Sequence, residues 1–229
     1  MIEVIGLCVS APDGRRILGP VTCAFGGQRT VVTGPSRSGK TTLFRAMAGL
    51  ALPSEGRVLI DGEELAALDK DGLRRVRRSI GFVFQNDALF DSLDVLGNVM
   101  FPLTRSGIPR PEAERRARAI LDAVGLGDRL SAIPERLSGG MKKRLGLARA
   151  AAARPKYLLA DDPLAGLDPG TAAAMTELMM RLWSGGDERD GGLVIAAADS
   201  APFESKGFRT VHLAGGLICG SQEERSPLG

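Results

Sequence analysis

Apolar positions along this chain fall into two rhythms. Short apolar or β-branched runs occur at Arg29–Thr33 (RTVVT), 80–84, 156–160 and 193–198, and all but 80–84 are bounded by glycine, proline or an acid. Runs of this length and composition read as buried strands. Between them the spacing changes to three and four. Ala113, Ala117, Ile120, Leu121 and Val124 share one face of a helix over residues 112–124, which Gly125 stops. A second helix starts near Gly39 and runs through Leu43 and Phe44 to Ala48, with Pro53 and Gly56 marking the exit. Ser138 reads as the N-cap of a third, which continues to Ala153 and is closed by Pro155.

The remaining segments complete the alternation. Residues 1–33 read as short strands with turns at Asp13-Gly14 and Gly26-Gly27. A strand at 57–60 leads into an Asp61-Gly62 turn, and 73–78 forms a basic helical turn. Residues 172–183 form a helix, 185–192 (GGDERDGG) a flexible surface loop, and 210–213 with 217–219 a closing hairpin. Strands that alternate with helices predict an α/β fold with a parallel central sheet. The N-terminal strands form an antiparallel β subdomain, and a helical lobe over about 86–153 is inserted into a single domain spanning 1–229.

Composition narrows the class. The 229 residues are 44% apolar, enough for a substantial core. The net charge of +3 is too small to indicate nucleic acid, and no nucleic-acid partner is expected. Basic residues cluster at Arg74, Arg75, Arg77 and Arg78, at Arg115, Arg116 and Arg118, and at Lys142, Lys143 and Arg144. They read as solvated helix faces, or as contacts to anionic phosphates of nucleotide or lipid. Three scattered cysteines, no export signal and no apolar stretch approaching ~20 residues point to a reduced compartment, with any membrane part supplied by other chains.

Three segments carry chemistry. Gly34-Pro35-Ser36-Arg37-Ser38-Gly39-Lys40-Thr41, followed by Thr42, fits G-x-x-x-x-G-K-[ST] between a strand and a helix. Glycines let backbone amides turn inward around a phosphate, and the helix N-terminus adds its dipole. Lys40 reaches the β/γ-phosphates, and Thr41 offers a hydroxyl to Mg²⁺. The apolar strand Tyr157-Leu158-Leu159-Ala160 ends in Asp161, a carboxylate placed to hold Mg²⁺ at a strand's carboxyl end. Leu137-Ser138-Gly139-Gly140-Met141 opens a helix with bare backbone, a second anion site.

In order, the phosphate loop, Gln85 after an apolar strand, Leu137–Gly140 before Lys142-Lys143-Arg144, the Asp161 strand and Leu164-Ala165-Gly166-Leu167-Asp168 resemble the ABC (ATP-binding cassette) ATPases over nearly the whole chain. The resemblance implies a P-loop NTPase core that takes ATP and Mg²⁺. Thr41, Gln85 and Asp161 would hold the metal, and Lys40, Gln85 and Asp162 would be catalytic. Ser138, Gly139 and Gly140 would complete the ATP site of a second ATP-binding domain, in a homo- or heterodimer whose seam holds Asp168. Residues 81–103 (GFVFQNDALFDSLDVLGNVMFPL) and Met141 are similar to the Mla-type, MCE-associated phospholipid-transport ATPases. That likeness implies a membrane permease docked near Gln85 to Leu93, with Leu89, Phe90 and Leu93 lining its groove. It also implies lipid or hydrophobic cargo and a cytoplasmic location on the inner face of the cell membrane.

Four positions depart from that family. Asp162 stands where a Glu polarises the attacking water, and a displacement of over ~1 Å can cost ~10²-fold in rate. Ala198, in Ala197-Ala198-Asp199, replaces a His that contacts the γ-phosphate, a loss of ~10²–10³. Residues 11–16 (APDGRR) lack the adenine-stacking aromatic, and Arg37 replaces a Gly at a free position of the loop. The expected behaviour is ATP-Mg binding and dimerisation with slow hydrolysis. The alternatives are a non-hydrolysing ATP-gated switch or scaffold, or the degenerate half of an asymmetric heterodimer.

Overall fold

A computed structural model describes residues 1–183 and 191–222. In chain order the strands are β1 (Ile2–Ser10), β2 (Arg16–Phe25), β3 (Arg29–Thr33), β4 (Glu55–Ile60), β5 (Glu63–Glu64), β6 (Ile80–Val83), β7 (Tyr157–Asp161), β8 (Gly192–Ala197), β9 (Phe208–Ala214) and β10 (Leu217–Gln222). The α-helices are α1 (Lys40–Met47), α2 (Lys70–Arg78), α3 (Val95–Arg105), α4 (Arg110–Ala123), α5 (Gly139–Ala151) and α6 (Pro169–Trp183).

Two sheets organise the chain. A four-stranded antiparallel sheet has the order β2-β1-β4-β5, and a six-stranded sheet has the order β10-β9-β3-β8-β7-β6. In the larger sheet β9, β3, β8, β7 and β6 run parallel, and only β10 pairs antiparallel, with β9. Because strand side chains alternate faces, the parallel strands feed two cores. Leu159, Val194 and Val32 face α1 and the antiparallel sheet, burying Phe25, Leu43, Phe44 and Met47. Leu158, Ala160, Ile195 and Val31 face the helical side, where Val99, Leu103, Ala117, Leu121, Leu145 and Met179 pack. A sheet buried on both faces explains why its strands read as continuous apolar runs.

Several boundaries differ from the sequence expectation for local reasons. Helix α2 begins three residues before 73, because the Asp69 side chain accepts from the Gly72 amide at 2.7 Å and caps it. Helix α6 starts at Pro169, capped by Asp168. Helix α3, not delimited from sequence, starts after the Asp94 cap and contains Pro102. Strand β6 stops at Val83, and β8 spans 192–197, so Ala198 lies just beyond it. Of the loop expected at 185–192, residues 185–190 lie outside the described residues, as do Glu223 to Gly229. Among the described residues no helix is long and apolar enough to cross a membrane.

Candidate functional site

The parallel strands deliver their carboxyl ends to one edge of the sheet, where α/β folds bind ligands. Strand β3 ends at Thr33 and the chain turns at Gly34 (φ 149), whose added Cβ would lie 1.9 Å from the Leu213 carbonyl oxygen. Gly39 (φ 102) caps α1, and a Cβ there would meet Leu18 at 3.1 Å. Glycine is required at both positions. Helix α1 has no side-chain cap and no acid in its first turn, so its free amides and positive dipole end are available to an anion. Pro35, Ser36 and Arg37 are exposed, Thr42 is half-buried in the first turn, and the Ser38 hydroxyl is buried without a partner.

The two side chains singled out for phosphate and metal lie at the head of this helix. Lys40 Nζ donates to the carbonyl oxygens of Gly34 (2.6 Å) and Pro35 (2.9 Å), folding back over its own loop. Burial lowers its pKa, against the opposing pull of Asp162 and Asp161. Thr41 Oγ1 donates to Asp161 Oδ1 at 3.1 Å, joining α1 to the end of β7. Burial raises the Asp161 pKa, with Asp162 adding to the rise and Thr41, Arg45 and Lys40 opposing it. A hydroxyl and a carboxylate held together at a phosphate-ready helix end are hard oxygen donors. With phosphate oxygens and water they suit Mg²⁺, which takes few protein ligands. The residues present therefore fit ATP-Mg. Among the described residues no cluster of three or more His, Cys, Asp or Glu offers an alternative all-protein metal site.

Asp162 follows directly, in a left-handed conformation (φ 49), with its amide donated to Ala196 O at 3.0 Å. Ala198 is exposed past the end of β8, and contributes only a methyl group. The single histidine, His212, lies on β9 with Nδ1 3.2 Å from Thr33 Oγ1. Near residues 11–16, Arg16 pairs with Glu55 at 2.9 Å, while Arg15 is exposed.

The structure does not bring Ser138, Gly139 and Gly140 to this loop. Ser138 Oγ accepts from the Met141 amide at 3.3 Å and caps α5, and an added Cβ at either glycine would meet nothing within 4 Å. This bare helix end faces outward. Asp168 is also exposed and caps α6 through Thr171, whose hydrogen bonds lower its pKa.

Gln85 lies two residues past Val83, which is in register with Ala160, so it leaves the sheet beside the strand that ends in Asp161. The segment after it borders a groove of about 890 Å³, with Phe82, Phe84, Phe90, Phe101 and Pro102 in its walls. Its rim carries Arg74, Arg77, Arg78, Arg105 and Arg149. Of the three residues expected to line it, only Phe90 does. Leu89 turns inward and packs on the helical core, and Leu93 lies outside the lining, next to Gly97 of α3. The aromatic residues of β6 and α3 take their places.

Sequence reasoning also missed two residues. Asn98 is fully buried in α3: its Oδ1 accepts from the Phe90 amide (2.9 Å), and its Nδ2 lies within 3.1 Å of the carbonyl oxygens of Phe90, Leu93 and Asp94. A lone amide within the apolar run of α3 was the available signal. The other is Arg149, on α5, whose basic character alone does not separate it from the solvated arginines.

Comparison with known proteins agrees with this geometry. A family model described as ABC transporter matches residues 22–165. The chain is 46% identical over 156 residues to the methionine import ATP-binding protein MetN of Rhizobium meliloti, covering 68% of this chain and 44% of that protein. It is 44% identical over 159 residues to an uncharacterized ABC transporter ATP-binding protein of Thermotoga maritima, covering 69% and 68%. The chain thus spans about half the length of the MetN relatives it matches. Among solved structures, the dimeric cassette MJ0796 bound to ADP and Pi superposes with a TM-score of 0.87 at 31% identity, covering 99% of this chain and 100% of that one. The cbiO1 subunit from Clostridium perfringens gives 0.83 at 27%.

Proposed function

Because this chain belongs to the ABC transporter family of ATP-binding proteins, we propose that it binds ATP-Mg between two such domains and uses their closure to drive a membrane permease. The observation that carries this is the Thr41–Asp161 hydrogen bond at the uncapped head of α1. Amides of Gly34 to Thr42, with Lys40, would cradle the triphosphate, and Thr41, Asp161 and Gln85 would hold Mg²⁺. The bound metal supplies charge neutralisation on the phosphate oxygens. Lys40 leaves the Gly34 and Pro35 carbonyls to take up phosphate. The exposed helix end at Ser138 and Gly139, with Gly140 behind it, has no contact with the phosphate loop of its own chain, which supports a second domain arranged head-to-tail. The dimer that MJ0796 forms in its post-hydrolysis state, with ADP and Pi bound, is in keeping with this.

Hydrolysis is slow in this reading. Asp162 carries the water-polarising carboxylate one methylene short, and Ala198 has no donor for the γ-phosphate. The arginine-rimmed aromatic groove beside Gln85 is where the permease docks, holding the domain peripherally at the inner face of the membrane. The 81–103 segment favours lipid or other hydrophobic cargo. A second reading, amino-acid import, is favoured by the similarity to MetN proteins, which are methionine import proteins. Light scattering of the purified chain tests the dimer: ATP-Mg should give a dimer and the nucleotide-free protein a monomer. A monomer in both would overturn the reading for a homodimer and leave only a heterodimer, to be sought by adding a second ATP-binding subunit. Reconstitution with a permease, comparing phospholipid and methionine movement, separates the two cargo readings.

A further inference from the structure

Directly after Gln85 and Asn86 the backbone takes two consecutive left-handed residues, neither of them glycine: Asp87 (φ 57) and Ala88 (φ 46). L-residues visit this region at a cost, and such residues persist only where surrounding contacts over-determine them. Two backbone bonds close the turn, from the Asp87 amide to the Phe84 carbonyl at 3.1 Å and from the Ala88 amide to the Asn86 carbonyl at 2.5 Å, and one side chain on α5 holds the turn's own carbonyls. Arg149 Nη1 donates to the Ala88 carbonyl at 2.6 Å and Nη2 to the Asp87 carbonyl at 2.8 Å. The planar guanidinium therefore grips both carbonyls of the turn at once, as a lysine cannot. It also stacks over the Phe90 ring with Cζ 5.4 Å from the centroid. Opposite Asp87, α5 presents Gly146, where an added Cβ would lie 3.6 Å from the Asp87 carbonyl oxygen, so helix and turn sit in close contact.

This grip links two regions. Helix α5 is the one that Ser138 caps, and the turn fixes where the chain emerges from Gln85. Phe90 in turn meets Phe101 with the rings tilted by 49° (4.6 Å between centroids), Phe101 lies under Arg105 at 5.8 Å, and all four residues line the docking groove. We infer that Arg149 is a positioning residue: it holds the Asp87-Ala88 turn left-handed and so places Gln85 for the metal. This deepens the ATP-Mg reading and rests on it.

The test is the gain in ATP affinity that Mg²⁺ confers, measured by calorimetry with Mg²⁺ and with EDTA. Arg149→Met keeps the apolar stem and removes the grip. It should cut the Mg²⁺-dependent gain by about tenfold, the weight of an unsupported left-handed residue, and leave ATP affinity in EDTA unchanged. Arg149→Lys should recover only part of the gain. Ala88→Gly lifts the steric penalty, so Arg149→Met combined with Ala88→Gly should return to within about threefold of wild type. A residue that merely stabilises the fold would not be rescued at Ala88. An Arg149→Met protein with the full Mg²⁺-dependent gain, or one that Ala88→Gly fails to restore, overturns the inference. Absence of ATP binding by the wild-type chain would instead overturn the reading on which it rests.

Discussion

Thr41 and Asp161 stand 120 positions apart, yet the Thr41 hydroxyl donates to the Asp161 carboxylate at 3.1 Å. The contact joins the first turn of α1 to the carboxyl end of β7. It brings together two hard oxygen donors that would hold a divalent metal at the phosphate-ready end of α1. Asp161→Asn keeps the shape and can still accept from Thr41, but loses the charge that favours a divalent cation. It should reduce Mg²⁺-dependent ATP affinity by about 10²-fold, a few kcal/mol of charge stabilisation, while leaving thermal stability without nucleotide near wild type. Calorimetric titration with and without Mg²⁺ checks both halves.

The slow hydrolysis proposed for this chain can be tested by reversing the two substitutions on which the proposal rests. Asp162→Glu extends the carboxylate toward the attacking water, and Ala198→His restores a donor past the end of β8. Together they should raise single-turnover ATP hydrolysis by at least ~10-fold. The gain will not be the product of the single effects, because groups acting as a unit are non-additive. Unchanged turnover in the double variant would contradict the slow-hydrolysis account.

Arg37 illustrates what spacing does not reveal. In the motif it is a free position, but the backbone there is left-handed, with φ 65. Arg37→Val places a β-branched residue in that region and should cost about 1–2 kcal/mol, whereas Arg37→Gly should cost less than about 0.5 kcal/mol. Urea unfolding of the two variants gives the comparison, and the opposite order would contradict the turn geometry.

Asn98 ties the 90–94 segment to α3 through one accepted bond and three carbonyl contacts. Asn98→Leu leaves the Phe90 amide and those carbonyls short of partners and should cost about 2–3 kcal/mol. The loss should appear in chemical denaturation, and it should also loosen Phe90 at the groove.

Acid stability offers a separate check on the far end of the sheet. Burial pushes the Asp61 carboxyl up, but hydrogen bonds from Lys156, the amino group of Met1 and Tyr157 outweigh it and hold the pKa at about 2, from an ordinary 3.8. The depressed value means the native state favours the ionised form. Its contribution to stability is therefore complete above the unfolded pKa of 3.8 and is lost as pH falls toward about 2. Wild type should exceed Asp61→Asn by a constant margin above pH ~5, and that margin should shrink on acidification toward pH ~2. A margin independent of pH would contradict the assignment.

Much of this was legible because local chemistry and global fold agree. The loop from Gly34 to Thr41 could be placed between β3 and α1 from its glycines and the β-branched run before it, and Asp161 from the apolar strand it ends. Periodicity could not show facing and handedness. It could not tell that Leu89 turns into the core while Phe101, from the next helix, enters the groove. It could not show that Asp87 and Ala88 are left-handed, because neither is the glycine that normally marks such a turn. Arg149 was hidden for the same reason: its partners are backbone carbonyls, which leave no trace in side-chain spacing.

The central claim is that the head of α1 holds a triphosphate with its metal, and calorimetric titration of ATP into the purified chain tests it most directly. The account predicts saturable binding, one nucleotide per chain, strengthened by Mg²⁺ and lost in Lys40→Ala. No heat of binding in Mg²⁺, or binding that survives Lys40→Ala unchanged, would contradict it.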